Sequence, residues 1–394
     1  MAFDPELATR AWMATLNGAA RAKSDAYFEG GYWLILWGAL VAIAVDLVLL
    51  RFGWAAALSA RVTRFTRRRG VQSWLFAIVY LLVTALMALP WTIYTRFFRE
   101  RHYGLLNQDF AAWGSEQLLA LTLSSLAVAL LFTGIHAAIR RSPRGWWIGA
   151  TAITIAGIAF FVAIAPLYVE PLFNKYVPLP DGPVRSAVLS MARANGVPAD
   201  NVFLVDASRQ TDRISANVAG LGGTTRIALN DNLMKQPADE IRAVMAHELG
   251  HYVLNHGPKM IIAFTLIVAV VFLVLSIALP WMLARFGPRW RVTSLDDPAI
   301  LPIVSILVTI IGVLLTPATN TLIRTQEMEA DRFGLNAARA PESFASIAMK
   351  LSQYRKIEPG PIEEALFFDH PSGHTRVLTA MRWKAEHLDQ PDVR

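Results

Sequence analysis

Cysteine is absent from the 394-residue chain, which excludes disulfides and thiolate ligands, so any metal must be held by histidine and carboxylate. Charge is scarce as well: Asp, Glu, Lys and Arg make up 17% of the residues against 54% hydrophobic ones, and the mean hydropathy is +0.39. A soluble globular chain does not have that balance. No internal repeat and no low-complexity tract is present. Residues 1–31 lack an apolar core ahead of Tyr32, so no cleavable secretory signal is expected. What the sequence has instead is long apolar runs.

A hydrocarbon core takes about 20 consecutive apolar residues per helix. Six runs meet that length, at 31–50, 73–94, 117–138, 146–168, 260–283 and 299–319, and the lipid bilayer is the first partner they imply. Asp46 and His136 fall inside the first and third runs, near helix ends, and each is expected to reach the headgroups. A net charge of +7 raises the question of nucleic acid, but the arginines cluster in short loops and form no binding stripe, so no nucleic-acid partner is expected. Arg51, Arg61, Arg64, Arg67, Arg68 and Arg69 lie in the first loop, Arg140, Arg141 and Arg144 in the third, and Arg285, Arg289 and Arg291 in the fifth. These twelve, on one side of the membrane, compare with six basic residues in the N-terminal segment and second loop. The positive-inside rule makes the first group cytoplasmic and puts 169–258 and the C-terminal tail on the extracytoplasmic side.

The chain divides into residues 1–168, an N-terminal segment with four spans; 169–258, the first part of a soluble domain; 259–319, two further spans; and 320–394, the second part of that domain. After the turn Pro178-Leu179-Pro180-Asp181-Gly182, residues 183–195 read as a helix, and 202–205 and 226–229 read as strands. Segment 238–256 sets Ile241, Val244, Met245 and Leu249 at helical spacing among charged residues. That amphipathic helix is too polar for lipid and is expected against the membrane surface. Residues 320–333 continue the sixth run as a carboxylate-rich helix.

Chemistry concentrates in Ala246-His247-Glu248-Leu249-Gly250-His251, an H-E-x-x-H motif on the amphipathic helix. Histidines at i and i+4 share one helical face, so both imidazoles reach one Zn²⁺, and Glu248 beside the first ligand reaches a water next to it. A catalytic zinc of this kind takes a third protein ligand and keeps an open position. His256, Glu327, Glu329, Asp331, His370 and His374 are candidates. Glu327-Met328-Glu329-Ala330-Asp331 is the best run, because Glu327 and Asp331 share a face, so Glu327 could bind the metal while Asp331 orients a liganding histidine.

These motifs in a multi-span frame resemble the type I CAAX prenyl endopeptidases, integral-membrane zinc metalloproteases, and their bacterial relatives. From about residue 73 onward the likeness includes Glu100-Arg101-His102-Tyr103-Gly104-Leu105, Pro171-Leu172-Phe173-Asn174-Lys175-Tyr176 with Pro178-Leu179, and His370-Pro371 followed by Arg376. The resemblance implies a mainly α polytopic membrane fold, with a helical bundle enclosing a chamber and a gluzincin-like α+β metalloprotease domain. It makes Glu327 the third ligand of one zinc per chain and His370 an oxyanion donor, with Arg376 as its helper. Ser215-Ala216-Asn217, followed by Gly220-Leu221-Gly222-Gly223, stands where the family has Asn-Ala-Tyr on the strand bordering the cleft, so Ser215, Ala216 and Asn217 are the expected substrate-binding residues. Eukaryotic members have seven spans, one more than the six read here. His256, which matches a recurrent family histidine, is left as structural or as a secondary metal contact.

The implied activity is hydrolysis of peptide bonds near the C-terminus of membrane-associated proteins, prenylated or not, in the bacterial inner membrane. The competing reading is a non-proteolytic scaffold or metal-handling protein with structural zinc. Glu248 argues against it, because a structural site has four protein ligands and no use for a base beside the first histidine.

Overall fold

The computed structural model describes residues 3–220 and 225–390. Among them, six helices are long and apolar enough to cross a membrane: Gly18–Arg51, Arg69–Met87, Phe110–Arg141, Trp146–Leu172, His256–Trp290 and Pro298–Ala338. Each contains or overlaps one of the apolar runs, and exposed Trp, Leu, Ile and Phe cover their outer faces. Inward-facing Leu50, Phe76, Ala129, Leu275, Leu279 and Ile303 form the core of the bundle. A cavity of about 630 Å³ opens between these helices, walled by residues such as Val45, Phe132 and Val304.

Asp46 and His136 do not reach for the headgroups. The Tyr80 hydroxyl donates to Asp46 Oδ1 at 2.6 Å, and His136, fully buried, sits 2.7 Å from Ser73 Oγ and 3.2 Å from the Leu295 carbonyl oxygen. Both lie on faces turned towards neighbouring helices. A partner inside the bundle satisfies a polar group without distorting the bilayer.

The first residues fold back onto the last. Met13 and Leu16 pack with Val377, Ala380, Met381 and Trp383, and Ser24 Oγ donates to the carbonyls of Ser352 and Arg355 at 2.7 and 2.8 Å. The segment before the first span and the segment after the sixth thus lie on one side of the bundle, in keeping with six crossings among the described residues.

The soluble region holds a four-stranded sheet of β1 (Tyr176–Pro178), β2 (Val202–Val205), β3 (Ala216–Ala219) and β4 (Arg226–Asn230) in the order β1-β2-β4-β3. β2 and β4 are parallel and the outer pairings antiparallel, which leaves β3 as an edge. Val202, Ile227 and Leu229 meet Ile241, Met245 and Leu249 of the motif helix, Ala238–Val253, with Val188 and Leu189 closing the far side. Those three helix residues, four apart, are at most 2% exposed. Each such burial contributes about 1.5–3 kcal/mol before entropy is counted. The motif helix is therefore a core element, more deeply enclosed than a helix lying on the membrane surface.

That helix stops at Val253, short of the expected 256, because Asn255 adopts the left-handed conformation at φ 56°. Asn tolerates this region better than most residues. The chain turns there and His256 opens the fifth span. The sixth span continues into the helix Leu301–Ala338 without a break. At 1.5 Å per residue its 38 residues run about 57 Å, nearly twice a hydrocarbon core of about 30 Å, so its polar end stands clear of lipid.

Candidate active site

Two glycines let the motif helix and the sixth-span helix cross closely. A Cβ on Gly334 would stand 3.1 Å from His247 N and 3.2 Å from His247 Cα, and one on Gly250 would stand 3.3 Å from Ala330 Cα. Each glycine costs about 1 kcal/mol of helix propensity. The return is contact that sets Glu327, one helical turn before Asp331, opposite the two histidines.

His247 Nε2 and His251 Nε2 lie 3.1 Å apart. Glu327 offers Oε2 at 3.3 Å from His247 Nε2 and Oε1 at 3.5 Å from His251 Nε2. Donors about 2.0–2.1 Å from a tetrahedral ion stand about 3.3 Å from one another, so these separations are the edges of a metal-sized tetrahedron. Among the described residues this is the one His/carboxylate group with such geometry. Its electrostatics also call for a cation. Burial works against charge on His247, but Asp331 and Glu327 outweigh it and hold the ring's pKa up at about 10. Burial and the neighbouring His247 push His251 down to about 4, leaving it a lone-pair donor. Residues and chemistry both fit a divalent metal.

The ligand set is braced from behind. His247 Nδ1 stands 2.8 Å from Asp331 Oδ1, near enough for attraction though off the line of a good hydrogen bond. Arg376 grips Asp331 with both arms, Nε to Oδ2 at 3.0 Å and a terminal nitrogen to Oδ1 at 2.5 Å. Arg376 thus ties Asp331, which stands behind His247, to the same cleft that His370 lines. On the other side, His251 Nδ1 lies 2.9 Å from His256 Nδ1, and His256 Nε2 lies 3.1 Å from Glu329 Oε2. With metal at His251 Nε2, one proton arrangement satisfies the chain: His251 Nδ1–H donates to His256, and His256 Nε2–H donates to Glu329. His256 touches His251 and stands outside the group of three, and His374 is not part of that group either.

A cleft of about 280 Å³ opens beside the cluster, and Glu248, His370, Ser215 and Ala216 line it. Burial, aided by Glu327 and opposed by His247, pushes the Glu248 carboxyl up to about 7, in the range of a base that works near neutral pH. His370 takes Asp369 Oδ1 at 2.9 Å through Nδ1 and points Nε2 towards Glu327 Oε2 at 3.4 Å. Asn217 is not part of the lining, and Leu221, Gly222 and Gly223 lie outside the described residues. Sequence reasoning missed Phe344, Ile347, Leu351, Tyr354 and Arg355, which also line the cleft. The first three recur at helical spacing, but nothing local says what that face meets.

Fold and cluster together describe a class, the membrane-bound metalloproteases. The Peptidase family M48 model matches residues 178–384, and the chain belongs to that family. A second model, CAAX prenyl protease N-terminal, five membrane helices, matches residues 11–175, where four helices of the described residues are long and apolar enough to span. Trp54–Phe65, another helix of that region, has 12 residues, about 18 Å, too short to cross. Similar proteins include the uncharacterized metalloprotease YhfN of Bacillus subtilis, 28% identical over 87% of this chain and 81% of its own. CAAX prenyl protease 1 of Saccharomyces cerevisiae is 26% identical over 77% and 70%. The crystal structure of S. mikatae Ste24p shares the fold, with a TM-score of 0.75 and 22% identity over 86% of this chain and 83% of that one.

Proposed function

We propose that the chain is a zinc metalloendopeptidase in which His247, His251 and Glu327 hold one Zn²⁺ and Glu248 is the general base. The observation that carries this is the three-donor tetrahedron with an open cleft on its free side, where Glu248 makes no hydrogen bond among the described residues. Bound zinc supplies Lewis acidity, lowering the pKa of water to about 7 and polarising a carbonyl. Glu248 takes the proton of the attacking water and delivers it to the leaving amine. His370, held by Asp369, donates from Nε2 to the oxyanion, a contribution of a few kcal/mol in the transition state. The Asp331–Arg376 pair keeps His247 in its tautomer. Ser215 and Ala216, at the start of the sheet edge, bind the substrate main chain, with Asn217 next along that strand.

The substrates are proteins or peptides at a membrane, cut near the C-terminus, with or without a prenyl group. This reading draws on the CAAX prenyl protease names of several relatives and on the place of Glu327, about 12 Å along its helix beyond residue 319. The enzyme sits in the bacterial inner membrane with its cleft on the extracytoplasmic side, as the arginine loops indicate. The test is cleavage of a fluorogenic peptide, with and without a farnesyl group, by wild type and Glu248→Gln, each assayed for zinc. One zinc in both and cleavage only by wild type is expected. Equal cleavage would remove Glu248 from the role of base, no zinc in either would overturn the metal site, and zinc in both with cleavage by neither would return the structural-zinc scaffold as the leading account.

A further inference from the structure

The cleft contains one cation that this chemistry does not use. Arg355 lines it beside Tyr354 and His370. Its main chain is pinned: the carbonyl accepts from Ser24 Oγ at 2.8 Å, and the N–H donates to the Ser352 carbonyl at 3.2 Å. The side chain thus projects from a fixed point. Its guanidinium nevertheless makes no hydrogen bond and no ion pair among the described residues.

The other cationic groups of the cleft are engaged. Arg376 is held by both oxygens of Asp331, and His370 is bonded to Asp369. Asp369 is the acid that most favours the charge on Arg355, yet burial outweighs it and lowers the Arg355 pKa. An arginine stays protonated regardless, so what results is an undercompensated charge facing a cavity. A half-buried guanidinium with its donors free suits a carboxylate, which it binds through two parallel hydrogen bonds. Next to it, Phe344, Ile347 and Leu351 form an apolar wall.

We propose that Arg355 is the anchor for a carboxylate of the bound peptide, with an apolar side chain of the same peptide against Phe344, Ile347 and Leu351. The inference rests on the reading of the cleft as a peptidase site. A peptide carries such a group in two places, at its C-terminus or on an Asp or Glu side chain. The small volume, about 280 Å³, at the lower end of ligand pockets, suits a short stretch of chain. Arg355 is then a specificity-determining residue that selects which peptides enter.

The experiment measures binding of four labelled peptides to full-length, zinc-loaded Glu248→Gln protein in detergent: C-terminal acid, C-terminal amide, internal Glu and internal Gln. The same set is run with Arg355→Gln and Arg355→Lys added to that background, and cleavage by wild type is followed in parallel. An acid should bind about 10- to 100-fold more tightly than its neutral counterpart. Arg355→Gln should abolish that ratio while neutral peptides bind as before, and Arg355→Lys should keep part of it. Whether the ratio falls on acid over amide or on Glu over Gln identifies which carboxylate is held. Equal binding of all four, or a ratio that survives Arg355→Gln, overturns the proposal. The comparison with Arg355 intact decides even if the variants misfold. Cleavage without carboxylate preference would sink this inference alone, whereas preference without cleavage would sink only the peptidase reading.

Discussion

Replacing Gly334 with alanine tests whether the metal site is built by close helix crossing. The added Cβ would meet His247 N at 3.1 Å, Cα at 3.2 Å and Cβ at 3.4 Å, so the neighbour must give by a few tenths of an ångström. Two of the three atoms are backbone and cannot rotate away. Metal sites hold ligand distances within about 0.2 Å, so a shift of this size separates Glu327 from the histidines by more than the site tolerates. Alanine returns about 1 kcal/mol of helix propensity, whereas overpacking costs about 1–3 kcal/mol. Overpacking against backbone should win, with a net loss of up to about 2 kcal/mol and zinc affinity reduced about tenfold or more. Gly312 in the same helix is the control, because a Cβ there meets nothing within 4 Å. Thermal unfolding and competition with a zinc chelator, for Gly334→Ala and Gly312→Ala, provide the readout. A Gly334→Ala protein with raised Tm and undiminished zinc affinity would refute the reasoning.

Other perturbations reach the same centre from different sides. Arg376→Met leaves Asp331 buried without its cation and should cost about 3–5 kcal/mol of stability, with Arg376→Lys recovering only part for want of a two-armed grip; unchanged stability and zinc affinity would detach Arg376 from the histidine support. His256→Ala removes the acceptor behind His251 and should lower zinc affinity about 10- to 100-fold, and it should also alter the visible spectrum of the cobalt-substituted protein. An unaltered spectrum and affinity would leave His256 with no part in holding His251. Because the chain has no cysteine, Ser142→Cys and Asp200→Cys, both at exposed positions, report topology cleanly. An impermeant maleimide added to intact cells should label Asp200→Cys and not Ser142→Cys; the reverse would place the cleft in the cytoplasm.

The sequence announced the spans and the paired histidines because both are periodic signals within one element. A 20-residue apolar run and an i, i+4 pair need no knowledge of what lies elsewhere. Glu327 was harder, since a carboxylate on a polar helix is common, and spacing alone left other candidates standing until the family likeness singled it out. Arg376 was legible as a residue of the site, but its two bonds to Asp331 were not. Its partner Asp331 lies 45 positions away, and no local pattern reveals which of several acids an arginine will meet. Asp46 and His136 were misjudged for a related reason. Nearness to a helix end was visible, whereas the hydroxyls of Tyr80 and Ser73 awaiting them on another helix were not. Arg355 carried no signal at all, because its distinguishing property is the lack of a side-chain partner among the described residues.

The unbroken helix from the sixth span to Glu327 bears on how the molecule is made. The histidine pair leaves the ribosome first, but Glu327 follows only after two more membrane crossings have been threaded, and its helix must then dock across Gly250 and Gly334. On the proposed ligand set, a half-inserted chain owns two of three ligands and no closed cleft. Hydrolytic power would then arrive late in biogenesis, and the order of the topology would keep the nascent protein from cutting its neighbours or itself.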